Sequence, residues 1–510
     1  MQSNTGLELT PDTICRLAHR AAEIIADYLT QVPNGPAIRP TTLRDVEQRV
    51  GGPMPVDPGD PFSVLDQIAA EIAPFGVHNA HPRFWGYVGT SASISASLAD
   101  GIAAALNLNV VTSKSRPTAV QVELTALGWL KQLLGLSPEA GALLTSGGTM
   151  ANLLGLAAAR QARAPGQVRK EGMQALPARM TLYASTEAHI CHQKIAEVMG
   201  FGSQYLRRIP VDGASRMDMA LLRAAVAADR AAGLFPLAVI GSAGTTNHGA
   251  VDPLADLADF CSAEGIWLHV DACYGGFALT AAADENGDPV LSEVTLHHLR
   301  AMSRADSVAA DPHKSLYIPV EAGVVFVRDP QHLWEAFHLS AEYLVGGDHN
   351  FHEYGLATSR AFRALKIWTA LRHHGSRALA GALAGNMRLT RYMRQLVTAA
   401  PDLEPVGPEP ELSILCYRYV PADLRARLAR GSAPECEAIT AYVDRLNDRL
   451  VADLQAGGEA YVSSTVLAGR PVIRACILNY RSTRADVEAF VALTQSIGAA
   501  VDRALGAERP

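Results

Sequence analysis

The chain has 510 residues, 48% of them hydrophobic and 19% charged, enough apolar material for a large core divided over two or three domains. Its net charge of −7 offers no basic surface to nucleic acid or an anionic membrane, and no apolar run is long enough for a membrane-spanning helix. The polar start from Met1 to Thr10 lacks the charged-then-apolar plan of a signal peptide, and seven cysteines without a C-x-x-C pair point to reduced thiols in a cytoplasmic protein.

Apolar residues at helical spacing (Ile14, Leu17, Ala18, Ala21, Ile24, Ile25, Tyr28) predict a helix over 11–31, with Thr10-Pro11-Asp12 as its start signal. Such a helix has no core of its own and must bury its stripe on something else, such as a second subunit. The Pro/Gly-rich stretch 33–61 reads as an irregular connector. From about residue 90 short apolar strands alternate with helices. The strands are expected at 142–144, 181–184, 237–241, 266–270, 307–310 and 323–327, and the helices at 150–163, 187–199, 217–232 and 253–264. That alternation argues for a parallel sheet covered on both faces. The pattern breaks around 370–385. Beyond it a long helix, strands at 412–419 and 472–479 and further helices make a smaller α+β unit. Three divisions follow: a helical segment over 1–90, a large domain over 91–375 and a small one over 376–510.

Four features fall at the carboxyl ends of predicted strands, where open parallel α/β sheets bind their ligands. Ser146-Gly147-Gly148-Thr149 leads from a strand into a helix whose first amides and dipole suit a phosphate. Nothing fits the phosphate-loop or dinucleotide fingerprints. Asp271 closes the strand Trp267-Leu268-His269-Val270, and a carboxylate buried there needs a partner such as a protonated ring nitrogen. Lys314 follows Asp311-Pro312-His313, in a chain where only six of 44 basic residues are lysine. Burial there is expected to lower its pKa, as imine formation requires. His189, in Glu187-Ala188-His189, is placed to stack on a flat cofactor. Taken singly, each has an ordinary structural reading: a tight turn, a capping carboxylate, a loop lysine, a core histidine. Together they supply a phosphate cradle, a ring stack, a counter-ion and a Schiff-base lysine, the requirements of a pyridoxal phosphate (PLP) enzyme.

The sequence resembles the group II PLP-dependent decarboxylases, the family of aromatic-L-amino-acid decarboxylase and glutamate decarboxylase, over nearly its whole length. The matching segments are His81-Pro82-Arg83-Phe84-Trp85-Gly86-Tyr87, Thr145 through Asn152, Ala243-Gly244-Thr245-Thr246, Leu268 through Ala272, Asp311 through Lys314, Arg360 through Lys366, and Ile473 through Ile477. The resemblance implies the PLP type I fold, a mostly parallel seven-stranded sheet with a helical N-terminal segment and a small C-terminal α+β domain, working as a homodimer with its active site at the interface. It makes Lys314 the Schiff-base lysine, Asp271 the partner of the pyridine nitrogen and His189 the ring stack with Thr246 beside it. Gly148, Thr149 and His313 are implied for the phosphate, and Tyr343 for the proton returned to Cα. Arg474, Asn109 and Tyr87 fall on the substrate side.

Ser315 stands where many relatives carry Trp, and Asp311 where the animal enzymes have Asn; neither is expected to touch the core chemistry. Asn109 and Lys114 lie in a segment that lacks the usual aromatics, and Lys114 and Arg116 fit a solvated or interface role better than recognition of an acidic side chain. The expected reaction is decarboxylation of an L-amino acid, aromatic or largely apolar, to its amine and CO₂. The runner-up substrate is an acidic amino acid, because Arg474 suits an α- or a side-chain carboxylate. Aldehyde or keto-acid formation on the same fold, a non-catalytic PLP-fold protein and a nucleotide-binding α/β protein are the rival readings.

Overall fold

The computed structural model describes residues 7–284, 286–339 and 347–510. The first helix spans Pro11–Gln31, as its periodicity predicts, and the Thr10 hydroxyl caps it by accepting the Thr13 N–H at 3.2 Å. None of its residues is buried within the chain. The following stretch is less irregular than its Pro/Gly content suggests. It holds a strand β1 (Ile38–Arg39), which pairs with β2 (Gly76–Val77), and a helix Leu43–Val50 closed by a Thr42/Asp45 capping box. Next, β3 (Phe84–Trp85) adds itself in parallel to the last sheet of the chain.

The large sheet has seven strands: β4 (Gly141–Thr145), β5 (Met180–Ser185), β6 (Leu206–Ile209), β7 (Phe235–Ser242), β8 (Trp267–Asp271), β9 (Ser307–Ala310) and β10 (Gly323–Val327). Their spatial order is β4-β10-β9-β8-β7-β5-β6, and only β10 runs against its neighbours. The strands from β7 to β10 are almost wholly buried because helices cover both faces. One of these, the alanine-rich helix Gly148–Arg163, lies close along β9 and β10. Edge strand β6 was not expected, since Arg207 and Arg208 interrupt its apolar run. Arg207 turns outward to pair with Asp229 at 2.7 Å.

The break expected at 370–385 falls at Gly375, where φ of 71° interrupts the long helix Ala364–Ala399; glycine adopts this left-handed region without the clash a Cβ would bring. Beyond it β11 (Leu403–Val406), β12 (Ile414–Tyr419), β13 (Tyr461–Leu467) and β14 (Arg470–Cys476) form the second sheet, in the order β11-β12-β14-β13-β3. The helix Ala433–Gly457 and the helix Arg484–Ala504 pack on it around Trp85, Tyr417, Tyr442 and Phe490. Since every large-sheet strand except β10 points one way, the ends of β4, β5, β7, β8 and β9 and the start of β10 share one edge of the sheet. The second sheet faces that edge through β13 and β14.

Candidate active site

A cavity of about 730 Å³ opens at this edge. Its wall brings together Gly148, Thr149, His189, Thr246, Asp271, His313 and Lys314 from the large sheet with Tyr87 and Arg474 from the other side. Asn109 is not in this wall: its side-chain oxygen accepts the Arg360 N–H at 2.7 Å, a bracing contact. Tyr343 lies outside the described residues.

β4 ends at Thr145, and after two intervening residues the helix begins at Gly148 with no side chain capping it. The amides of its first turn therefore have no intrahelical partner and face the cavity with the positive end of the helix dipole. Glycine is required at 148 by close approach, since a Cβ there would come within 2.5 Å of Cys273 Sγ and 2.8 Å of Asp311 Oδ2. His313 lies beside this turn, with its Nδ1 2.8 Å from the Ala322 carbonyl oxygen. Across the cavity, His189 Nδ1 accepts the Cys191 N–H at 3.2 Å. Burial lowers the His189 pKa against the pull of Asp271, so the ring enters the site neutral.

Asp271, the last residue of β8, is buried. Its Oδ1 accepts the Cys273 N–H at 3.2 Å, and its Oδ2 lies 2.9 Å from His192 Nε2. Burial alone would raise the carboxyl pKa, but the hydrogen bond from His192 leads the influences that hold it far below the ordinary range, so Asp271 is a carboxylate. Lys314 departs from expectation. Burial does act to lower its pKa, but Asp311, with Oδ2 3.0 Å from Nζ, and the more distant Cys273 and Asp271 together raise it instead. Asp311 therefore touches the lysine directly, contrary to its expected indifference, and its Oδ1 is buried without a hydrogen-bond partner among the described residues. Ser315 is more remote, donating to the Tyr274 carbonyl oxygen at 2.5 Å.

Arg474, buried on β14, spends three of its five N–H groups on backbone carbonyls: two on Thr246 and one, at 2.7 Å, on Tyr87. Tyr87, held at φ 55°, hydrogen-bonds through its hydroxyl to that of Tyr461 at 2.7 Å. Ser463, Ser464 and Thr465 complete that side, while Lys114 and Arg116 lie outside the wall.

The donor set suits pyridoxal phosphate: an uncapped helix start that only glycine permits, an ionised carboxylate closing a strand, and a half-buried lysine in the same wall. Two contacts escaped the sequence reading, the Asp311–Lys314 ion pair and His192 behind Asp271. The second had a signal, since His189 and His192 are one helical turn apart in a segment expected to be helical.

Residues 49–420 match the family described as the pyridoxal-dependent decarboxylase conserved domain. The chain is 31% identical over 488 residues to aromatic-L-amino-acid decarboxylase of Bacillus atrophaeus, covering 94% of this chain and 95% of that relative. It is 29% identical over 497 residues to tryptophan decarboxylase 1 of Oryza sativa subsp. japonica, covering 93% and 91%. The crystal structure of Oryza sativa TDC with PLP and tryptamine superposes with a TM-score of 0.85 at 26% identity, over 96% of this chain and 99% of that one.

Proposed function

Since the chain belongs to the pyridoxal-dependent decarboxylase family, and is thus a pyridoxal-phosphate-dependent carboxy-lyase, we propose that its substrate is an aromatic or largely apolar L-amino acid. The products are the amine and CO₂. The observation that carries the reading is the meeting of Lys314, Asp271 and the uncapped start of the 148–163 helix in one cavity.

Bound there, pyridoxal phosphate supplies the sink for the electron pair left on Cα as CO₂ departs. Lys314 would carry it through Nζ and yield to the substrate amine. The amides from Gly148 onward, with Thr149 and His313, would take its phosphate, and His189 and Thr246 would flank its ring. Asp271, already ionised, would keep a proton on the ring nitrogen. The N–H groups of Arg474 not committed to Thr246 and Tyr87 would receive the α-carboxylate, and Tyr343 would return the proton to Cα.

The wall supports a substrate without a side-chain charge. Its cationic side chains among the described residues are Lys314 and Arg474, while Val88, Met150, Tyr87 and Tyr274 supply apolar surface. An acidic side chain and an α-carboxylate would compete for Arg474.

A homodimer belongs to the same proposal. The first helix has no fully buried residue within its own chain, and the helix Ile94–Leu106 leaves Leu98, Ile102 and Leu106 exposed one turn apart; such a stripe is normally covered by another surface. No helix among the described residues is long and apolar enough to cross a membrane, and all seven cysteines are free thiols. Both agree with a proposed cytoplasmic location.

The deciding experiment loads the purified protein with PLP and follows CO₂ and amine release from the twenty L-amino acids and DOPA. Amine from the aromatic or apolar class, lost at least about a thousand-fold in Lys314→Ala, is the expected result. Keto acid or aldehyde as the main product, or turnover confined to aspartate or glutamate, would refute the reading.

A further inference from the structure

Asp271 lies at the end of β8, where its backbone is fixed by pairing to β7 and β9, but its carboxylate could still rotate about the side-chain torsions. One neighbour limits that rotation. His192, fully buried on the helix Cys191–Val198, brings Nε2 to 2.9 Å from Asp271 Oδ2. An ionised carboxylate only accepts hydrogen bonds, so the imidazole must donate. The other ring nitrogen leads to the same tautomer. Nδ1 of His192 is buried with no hydrogen-bond partner among the described residues, so a proton there would be a stranded donor, whereas a proton on Nε2 leaves only an unused acceptor. The ring is also held against the edge of His269, at 6.5 Å between centroids and 75° between planes. His269 is tied in turn to Asn152 and Ser307 at 2.7 Å each.

We infer that His192 is a positioning residue for cofactor binding: its Nε2–H fixes the rotation of the Asp271 carboxylate and draws density from Oδ2, so that the shared proton stays on the ring nitrogen of pyridoxal phosphate. The inference rests on reading Asp271 as the partner of that nitrogen. It adds a residue to the site that touches neither substrate nor cofactor and acts through the carboxylate. Cys191 Sγ lies within 4.8 Å of the same imidazole and carboxylate ligand atoms, an arrangement that could suggest a metal. Burial pushes the Cys191 thiol up to about 12, however, so it offers no thiolate to an ion.

The test needs two preparations. In the cofactor-free wild type, labelled with ¹⁵N-histidine, the His192 resonance (identified by its loss in His192→Gln) should show the Nε2–H tautomer. A proton on Nδ1 alone overturns the inference whatever His192→Leu does, and so decides the matter even if that substitution fails to fold. The second preparation is loaded with PLP carrying ¹⁵N in the ring. Wild type and His192→Gln, whose amide can still donate, should give a pyridinium-like nitrogen shift. His192→Leu should move that shift toward the unprotonated value and release PLP at least ten-fold faster. A Leu variant that matches wild type in shift and release rate overturns the role of His192 while leaving the Asp271 reading intact. A wild type that takes up no PLP, or whose ring nitrogen is unprotonated, overturns both.

Discussion

Asp311 and Lys314 form a 3.0 Å ion pair at the heart of the cavity, and that pair governs how the lysine is made ready. A lysine held above its ordinary pKa is almost wholly ammonium at neutral pH, and only the free amine attacks an aldehyde. Asp311→Asn removes the strongest influence holding the proton on Nζ, so the free-amine fraction should rise. PLP uptake by the cofactor-free protein at pH 7 is expected to quicken several-fold, with its pH dependence moved to lower pH. Stopped-flow absorbance checks this, and a pH profile identical to wild type would show that Asp311 does not control the lysine. Tyr343 carries a different prediction, from the family resemblance. A phenol there can protonate Cα, so Tyr343→Phe should consume oxygen and give aldehyde in place of most of the amine. An oxygen electrode with product analysis decides it, and an undiminished amine yield would remove Tyr343 from the proton-donor role.

Among the elements, the turn from β4 into the 148–163 helix shows how little room the site has. A methyl group at Gly148 would drive into Cys273 and Asp311, and relieving that clash shifts the amides proposed to hold the phosphate. Gly148→Ala is expected to weaken PLP binding at least ten-fold, measured by titrating the cofactor-free protein; an unchanged affinity would mean the phosphate is held elsewhere. Elements of this kind were legible in the sequence because one physical demand set each of them. A buried parallel strand needs an unbroken apolar run, as in Leu237 through Gly241, and the residues that line the cavity follow directly at its end, as with Asp271 and Lys314. Elements with mixed demands were not legible. β6 is half arginine because an edge strand can send Arg207 to solvent and to Asp229, and the helix Leu43–Val50 was hidden by surrounding Pro and Gly although Thr42 and Asp45 cap it. β13 alternates half-buried and exposed residues from Ser463 to Val466, and so lacks the apolar run that marks the central strands. At the site the same limit applies: a lysine after Pro-His points to its proposed role, whereas His192 reads as a core histidine until its distance to Asp271 is known.

At the level of the whole molecule, the buried histidines make the fold sensitive to acid. Burial lowers His269 to about 3 and His81 to about 4, the latter helped by Arg83, and His78, His189, His248, His298, His313 and His349 shift the same way. The unfolded chain takes up protons on these rings near pH 6.5. The fold refuses them until the pH is well below that, so protons favour the unfolded state throughout the interval and stability falls as pH falls. Asp252 acts in the opposite sense. Its burial lifts it to about 6, so the fold keeps a proton there that the unfolded chain gives up above about 3.8. Glu123 and Glu411, also raised by burial, join Asp252, but three carboxyls set against several histidines do not reverse the trend. The melting temperature, measured at constant ionic strength, should therefore be level above about pH 6.5 and decline steadily from there toward pH 4. His269→Gln, which can keep a hydrogen bond to Asn152 or Ser307, should lower the plateau and flatten the decline. A wild-type melting temperature that holds level down to pH 5 would mean that these rings accept protons inside the fold, and that the burial assigned to His81 and His269 does not exclude water from them.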